Sequence, residues 1–227
     1  MAKLSGIESF VLKEFRSWSR DFSDALRELE SAQSPDAVVS EAREALTKLM
    51  GAMDDPGLFA PQMRAFSVSG AIYIAFYLAL APHGFSAERV WKLAERATEL
   101  HFERMSKFEK SLASGAMFGW PMKALSRWLA GRSQQDPVGG WVFDFVEAEG
   151  DVAYGVNYRR CAIRELALSQ GAAEFAPYIC LSDIVGSQKF GWGLKRSETL
   201  AQGGSQCDFR FRKGGDTDVK VRLPVAR

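Results

Sequence analysis

Trp141-Val-Phe-Asp-Phe-Val146 is the stretch that decides the fold class of this chain. Its odd-numbered residues are all aromatic and its even-numbered residues are Val, Asp and Val, so the side chains follow the two-residue repeat of a β-strand. Before this stretch, apolar residues recur every three or four positions, which is the spacing of amphipathic helices. The change of period predicts an α+β protein in which a helical region precedes a β-containing module.

The module after Trp141 is predicted to contain two helices and an antiparallel sheet. Helical spacing returns over Tyr158–Ser169, and a second helix begins near Pro177 and runs to about Ser187, with the proline in its first turn. Alternation resumes in three segments, of which the last two form a predicted hairpin around Gly214-Gly215: residues 194–200, 206–213 and 219–223. The predicted order of elements in residues 141–227 is therefore β, α, α, β, β, β.

The N-terminal part, residues 1–132, is predicted to be entirely helical and to pack on the sheet. Start and stop signals such as Ser34-Pro35 and Asp54-Asp55-Pro56-Gly57 mark the ends of its helices. The helices are expected at residues 7–32, 35–53, 61–81, 86–113 and 121–129. Residues 131–140 have the composition of a connector. The most apolar run, residues 66–81, is shorter than the roughly 20 residues that span a bilayer, and it is predicted to be a buried helix.

Composition and charge narrow the classes of function. Lys plus Arg (29) nearly equals Asp plus Glu (28), so no net basic field favours nucleic acid or an anionic membrane as a partner. A small-molecule substrate is favoured instead. The N-terminus lacks the pattern of a secretory signal, and the odd set of cysteines is expected to be reduced: Cys161, Cys180 and Cys207. These features predict a cytoplasmic protein.

Side chains suited to catalysis concentrate in the last third of the chain. On a helix that begins at Pro177, Cys180 and Asp183 lie three residues apart and share one face. In the strand that begins near residue 206, Cys207 falls on the apolar face. If that helix packs on that face, Cys180, Asp183 and Cys207 converge in one partly buried pocket.

Ordered sequence blocks in the same region resemble a known family. They are Asn157-Tyr-Arg-Arg-Cys161, Gly171-Ala-Ala-Glu-Phe-Ala-Pro-Tyr-Ile-Cys-Leu-Ser-Asp183, Leu194-Lys-Arg-Ser-Glu-Thr-Leu-Ala-Gln-Gly203 and Cys207-Asp-Phe-Arg-Phe211. Over about Trp141 to Lys213 the chain resembles the L-2-amino-thiazoline-4-carboxylic acid hydrolase family. The resemblance implies hydrolytic opening of a cyclic amidine-type C–N bond in a small carboxylated thiazoline, which gives a carbamoyl cysteine.

The resemblance also carries candidate site positions onto this chain. Attack on the thiazoline C2 atom requires an activated water or a thiolate, a proton for the ring nitrogen, and a cation for the substrate carboxylate. The candidate catalytic residues are Cys180, Asp183, Cys207 and Glu174, and the candidate substrate-binding residues are Arg196, Thr199 and Asp208. The choice between a thiolate and an activated water stays open at this point.

Three alternatives accompany this interpretation. Three thiolates and a carboxylate would supply a tetrahedral zinc site, but no CxxC pair occurs, and we therefore expect no cofactor. A non-catalytic small-molecule sensor of related fold is the second alternative, and tight binding without turnover would identify it. The long helices also suit a homodimer, which is compatible with either function.

Overall fold

A computed structural model describes residues 2–30, 33–220 and 223 of the chain. The described part is mostly helical and carries one five-stranded sheet in its C-terminal half, which confirms the α+β class. The helices are α1 (Glu8–Leu29), α2 (Pro35–Ala52), α3 (Pro61–Leu80), α4 (Ala87–Arg104), α5 (Lys107–Phe118), α6 (Trp120–Ser133), α7 (Ala162–Ser169), α8 (Ala176–Ile179) and α9 (Ser182–Phe190). The strands are β1 (Val142–Val146), β2 (Tyr154–Arg160), β3 (Lys195–Arg196), β4 (Cys207–Phe211) and β5 (Asp218–Val219).

The chain divides into two compact units, each made of two segments. The first unit contains the described residues of Met1–His101 and Ala162–Ile179, and the second contains those of Phe102–Cys161 and Cys180–Arg227. This division differs from the predicted ranges 1–132 and 141–227, because α7 and α8 group with the N-terminal helices whereas α5 and α6 group with the sheet. Local periodicity shows the type of an element but not the distant segment on which it packs.

Helix α3 forms the centre of the first unit. It is long and apolar enough to cross a membrane, but 67% of its most apolar window is buried within the structure, as in the core helices of soluble proteins. Phe76 stacks on Phe22 of α1 with ring centroids 3.8 Å apart. A Cβ atom at Gly70 would lie 2.6 Å from Cγ1 of Ile163, so a glycine lets α7 approach α3 closely. The predicted buried helix is confirmed.

The single helix predicted over residues 86–113 is wrong, since α4 ends at Arg104 and α5 begins at Lys107. Ser106 caps α5: its side chain accepts a hydrogen bond from the Glu109 amide at 3.2 Å, while the Glu109 carboxylate accepts one from the Ser106 amide at 2.7 Å. This reciprocal capping box satisfies two amides that would otherwise lack partners, and so it begins a new helix. The pattern Ser-x-x-Glu was visible in the sequence.

Strand β2 is the main element that the sequence analysis missed. A helix was predicted from Tyr158, but the chain stays extended to Arg160, and β2 pairs with β1 on one side and β4 on the other. Alternate residues Tyr154, Val156 and Tyr158 are buried. Gly155 permits the close pairing, because a Cβ atom there would lie 2.5 Å from the Phe209 carbonyl oxygen.

The sheet has the order β1-β2-β4-β3-β5 and is mixed rather than purely antiparallel. Strand β5 was predicted to form a hairpin with β4, but it pairs in parallel with β3, where Asp218 donates to the Leu194 carbonyl at 2.8 Å. Both edges of β4 are already occupied by β2 and β3, so the returning chain pairs with the outer edge of β3. The predicted strand 194–200 is limited to Lys195–Arg196, and Val221 of the predicted hairpin lies outside the described residues.

Candidate functional site

Arg196 lies at the centre of the candidate site, in the second unit. Its side chain is 1% exposed, although it carries a full positive charge. Nη1 donates to Asp183 Oδ2 at 2.6 Å, and Nη2 donates to the Cys180 carbonyl oxygen at 2.9 Å. The guanidinium also lies over the Phe209 ring, 5.2 Å from its centroid. A buried cation is tolerated only with such partners, so these contacts fix the guanidinium in place.

Arg196 contacts both the turn at Cys180 and the first turn of α9, which carries Asp183. The continuous helix predicted from Pro177 is wrong, because α8 ends at Ile179, Cys180 and Leu181 form a turn, and α9 begins at Ser182. The Cys180 carbonyl accepts its hydrogen bond from Arg196 instead of continuing a helical ladder. Asp183 in the first turn of α9 then reaches the same guanidinium.

Two thiols lie beside this ion pair. Cys207 of β4 is buried, its Sγ accepts a hydrogen bond from the Leu200 amide at 3.3 Å, and burial raises its pKa to about 11. Burial raises the pKa of Cys180 well above its ordinary value, and the charges of Cys161, Cys207 and Asp183 act in the same direction against Arg196. Both thiols are therefore protonated at neutral pH. The structure places Cys180, Asp183 and Cys207 close enough for their charges to interact, and the pocket predicted between them stays a prediction.

Asp183 is the accessible member of the ion pair. Its side chain is 34% exposed, whereas that of Arg196 is almost completely buried. Burial raises the pKa of Asp183, and the charge and hydrogen bond of Arg196 oppose that rise. Asp183 is thus a stronger base than an ordinary aspartate, held at the edge of the site by a fixed cation.

Two polar atoms of the site have no protein partner. Thr199 is 1% exposed, and neither its Oγ1 atom nor Nε of Arg196 has a hydrogen-bond partner among the residues that the structure describes. A buried polar group without a partner costs about 1–3 kcal/mol, and such groups are rare in native structures. These two atoms are donors suited to a bound ligand, and they belong to two of the residues predicted to bind the substrate.

Asp208 holds the loop that presents Thr199. Its Oδ1 accepts hydrogen bonds from the amides of Ser197 (2.9 Å) and Glu198 (2.8 Å), and its Oδ2 accepts one from the Ser197 hydroxyl at 2.6 Å. With both oxygens engaged in the loop, Asp208 is a positioning residue in this geometry. The sequence analysis had proposed it as a substrate-binding residue.

Glu174 belongs to the first unit, where its carboxylate accepts a hydrogen bond from the Tyr77 hydroxyl of α3. The adjacent Phe175 stacks on Tyr77 with ring centroids 4.8 Å apart. These contacts attach the turn before α8 to the core helix. Glu174 therefore has a structural contact within its own unit, and the catalytic role predicted for it stays a prediction.

Tyr158 is a site residue that the sequence analysis missed. It lies on β2 directly opposite Cys207, and burial raises the pKa of its hydroxyl well above the ordinary value, with further contributions from the charges of Asp183, Tyr154, Cys161 and Cys207. Its hydroxyl is therefore a neutral phenol close enough to Asp183 to be affected by its charge. The alternation of Tyr154, Val156 and Tyr158 was the signal that could have placed it on a strand.

Comparison with known proteins identifies the family. The model described as L-2-amino-thiazoline-4-carboxylic acid hydrolase matches residues 65–211. The chain belongs to this hydrolase family. The matched range begins within α3 and ends at the last residue of β4, so it extends well upstream of the blocks quoted from the sequence. No curated protein and no solved structure matches the chain.

In this member of the hydrolase family, the predicted site residues separate into three groups. Four lie in the second unit at the ion pair: Cys180, Asp183, Arg196 and Cys207. Thr199 follows Arg196 by three residues in the same unit, on the loop that Asp208 holds, and Glu174 lies in the first unit. Within the described ranges, no group of three or more His, Cys, Asp or Glu side chains is arranged to hold a metal ion.

Proposed function

We propose that this chain hydrolyses a non-peptide C–N bond in a small carboxylated cyclic amidine of the 2-aminothiazoline-4-carboxylate type. The observation that carries the proposal is the buried Arg196, which is ion-paired to a partly exposed Asp183. Its Nε atom and Thr199 Oγ1 have no hydrogen-bond partner in the part of the chain that the structure describes. This arrangement combines a fixed cation, two buried donors without protein partners among the described residues, and a base. The family match supports a hydrolase of this type.

The substrate carboxylate binds to Arg196 Nε and Thr199 Oγ1 in this proposal. Hydrogen bonds between a guanidinium and a carboxylate are charge-assisted and are strengthened where water is excluded. Nη1 and Nη2 are held by Asp183 and the Cys180 carbonyl, so the direction of Nε is set before the substrate arrives. Such a fixed donor orients the ring relative to Asp183.

Asp183 is the general base and then the general acid. It accepts a proton from water as the water oxygen attacks C2, and it passes that proton to the ring nitrogen. The hydroxyl proton of the tetrahedral intermediate follows the same route when the C–N bond breaks and C2 becomes a carbonyl carbon. One water is consumed, the ring nitrogen becomes an amine, and Asp183 returns to its starting state. A raised pKa suits a carboxylate to this double role.

The protonated thiols favour an attacking water over an attacking thiolate. A thiolate is the nucleophilic form of cysteine, and a pKa of about 11 for Cys207 leaves almost none of it at neutral pH. Cys180 has a pKa raised in the same direction. In this proposal both cysteines line the site as neutral side chains, next to the phenol of Tyr158.

Cys180→Ala is therefore expected to keep most of the wild-type kcat, with a loss far smaller than the roughly 10²–10⁴-fold that an acid–base group contributes. The measurement is kcat for ring opening, with thermal unfolding to show that the variant is folded. Cys161→Ala is the control for removing a thiol. If folded Cys180→Ala is inactive, or a covalent adduct forms on Cys180 in the wild type, the thiol is the nucleophile.

The pH dependence of kcat/KM is expected to show an acid limb that belongs to Asp183. The base must be ionised, so activity falls as the pH decreases through the pKa of Asp183, and burial places that pKa above the ordinary value of 3.8. The measurement is the pH profile of kcat/KM over the range in which the protein stays folded. A limb at or below 3.8 would contradict the assignment of a desolvated base.

A substrate panel tests the proposed function. The purified protein is incubated with carboxylated thiazolines, other cyclic amidines and small amides, and the products are identified by mass spectrometry. We expect ring opening of the carboxylated compounds with addition of one water. We propose the cytoplasm as the location of the protein. Tight binding of a carboxylated thiazoline with no turnover would replace the enzyme with the sensor alternative.

A further inference from the structure

Helices α5 and α6 expose apolar side chains at every fourth residue. Phe108 (76% exposed), Leu112 (63%), Trp120 (80%) and Trp128 (52%) are large hydrophobic residues open to solvent. Ala116 and Ala124, the intervening members of the same spacing, are exposed as well. Residues four apart share one face of a helix, so each helix presents an unpartnered apolar face. We call these six residues the α5–α6 surface.

The other faces of the two helices are occupied within the second unit. Helix α5 packs on α9 and α6, and α6 packs on β1. Met117, Ser126 and Leu129 are buried on those inner faces. The apolar residues of the α5–α6 surface therefore do not serve the core of this unit. An exposed apolar group of this size is typical of an interaction site.

The charges around the surface favour a protein partner over an anionic membrane. Between Leu112 and Trp128 the only charged residues are Lys123 and Arg127. At the two ends, charges of both signs flank Phe108 (Lys107, Glu109 and Lys110), and Arg132 lies over the Trp128 ring, 5.9 Å from its centroid. Lys123 donates to the Ala153 carbonyl at 3.2 Å, and Arg127 is paired with Glu147 at 2.7 Å, so both cations are directed to other parts of the unit. Surface-binding helices need basic side chains directed to lipid headgroups. A core with few charges, rich in Trp and Phe, is instead typical of protein interfaces.

The exposed area fits a dimer. Aromatic side chains bury roughly 150–250 Å² each, so covering the exposed fractions of the four large residues would remove on the order of 600 Å² per copy. A standard interface buries about 800 Å² of accessible surface on each partner, and a polar rim around the apolar residues would supply the remaining area. From Leu112 to Trp128, large residues alternate with Ala116 and Ala124, so the bulky side chains of one copy can pack over these alanines of the other. Such self-complementarity suits a two-fold axis.

We propose that the α5–α6 surface is the interface of a homodimer, in which a second copy of this chain covers Phe108, Leu112, Trp120 and Trp128. This inference is independent of the proposed hydrolase activity, because none of these residues belongs to the site around Arg196. It specifies the interface of the homodimer that the long helices suggested in the sequence analysis.

The test is sedimentation velocity of the full chain over a wide concentration range, for the wild type, Leu112→Glu and Trp120→Glu. Leu112→Glu places a carboxylate at the centre of the α5 face, and Trp120→Glu places one at the start of the α6 face, at the first residue of α6, where an acidic side chain favours the helix. Phe59→Glu is the matched control, because Phe59 is 79% exposed but lies in the first unit. Far-UV circular dichroism checks that each variant is folded.

We expect the wild type and Phe59→Glu to sediment as dimers, and the two surface variants to shift to monomers at concentrations where the wild type is dimeric. A wild type that is monomeric at every concentration would overturn the proposal, and so would a dimer that persists in both folded surface variants. Co-sedimentation of a monomeric wild type with vesicles that contain phosphatidylserine would also overturn it, in favour of a membrane surface.

Discussion

Asp183→Asn is expected to lower kcat on a carboxylated thiazoline by about 10²–10⁴-fold while the protein stays folded. The amide has nearly the shape of the carboxylate and still offers an oxygen to Arg196, with which Asp183 now makes a 2.6 Å hydrogen bond. It has no basicity with which to accept a proton from water. The loss should therefore appear mainly in kcat, and the acid limb of the pH profile should disappear from the residual activity.

Asp144→Asn is the matched control for this substitution. Asp144 lies in the same unit and is paired with Arg159 at 2.8 Å, but both side chains are well exposed, at 40% and 50%. An exposed pair contributes about 0–1 kcal/mol, so kcat should stay at the wild-type value. If Asp183→Asn is folded and fully active, Asp183 is not the base and the assignment of the site is wrong.

Arg196→Met is expected to cause the largest loss of stability among single substitutions in the site. Removing one partner of a buried ion pair costs about 3–5 kcal/mol, because the other charge is left unpaired. Since 34% of the Asp183 side chain reaches solvent, we expect the lower end of that range, about 3 kcal/mol. The measurement is the free energy of unfolding from urea denaturation. Arg127→Met, which breaks the exposed pair with Glu147, should cost at most about 1 kcal/mol.

A double variant separates stability from function. Arg196→Met combined with Asp183→Asn leaves no unpaired charge, so it should recover part of the stability lost in Arg196→Met. It should recover no activity, because both the cation and the base are absent. Recovery of activity in the double variant would show that the ion pair has only a structural role.

The sequence predicted the elements that depend on local pattern and missed those that depend on distant partners. Helices α2 and α3 agree closely with the predicted ranges, since Pro35, Pro61 and the Asp-Asp-Pro-Gly turn act locally. Strand β2 was missed because Tyr158-Arg-Arg-Cys161 was grouped with the following helix. Pairing with β1 and β4 keeps the chain extended as far as Arg160. The position of β5 in the strand order depends on which strand still has an unpaired edge, and the local sequence carries no signal for that.

For the candidate site, the sequence named residues but not the contacts between them. Spacing and strand face named Cys180, Asp183 and Cys207, and the family blocks added Arg196 and Thr199. The partner of Arg196 was not predictable, because it depends on a turn at Cys180 that interrupts the expected helix. The contacts of Glu174 and Asp208 could not be predicted either, since a sequence motif does not show whether its carboxylate binds a ligand or another group of the protein.

The most direct test of the central claim, that Arg196 anchors a substrate carboxylate beside the base Asp183, compares kcat/KM for 2-aminothiazoline-4-carboxylate and for 2-aminothiazoline, which lacks the carboxylate. A charge-assisted hydrogen bond contributes about 1.5–3 kcal/mol, so the wild type should prefer the carboxylated compound by about 10- to 100-fold. In folded Arg196→Met this preference should disappear, and in Thr199→Val it should fall by a smaller factor. A preference that survives intact in Arg196→Met, or a folded wild type that opens neither ring, would contradict the claim.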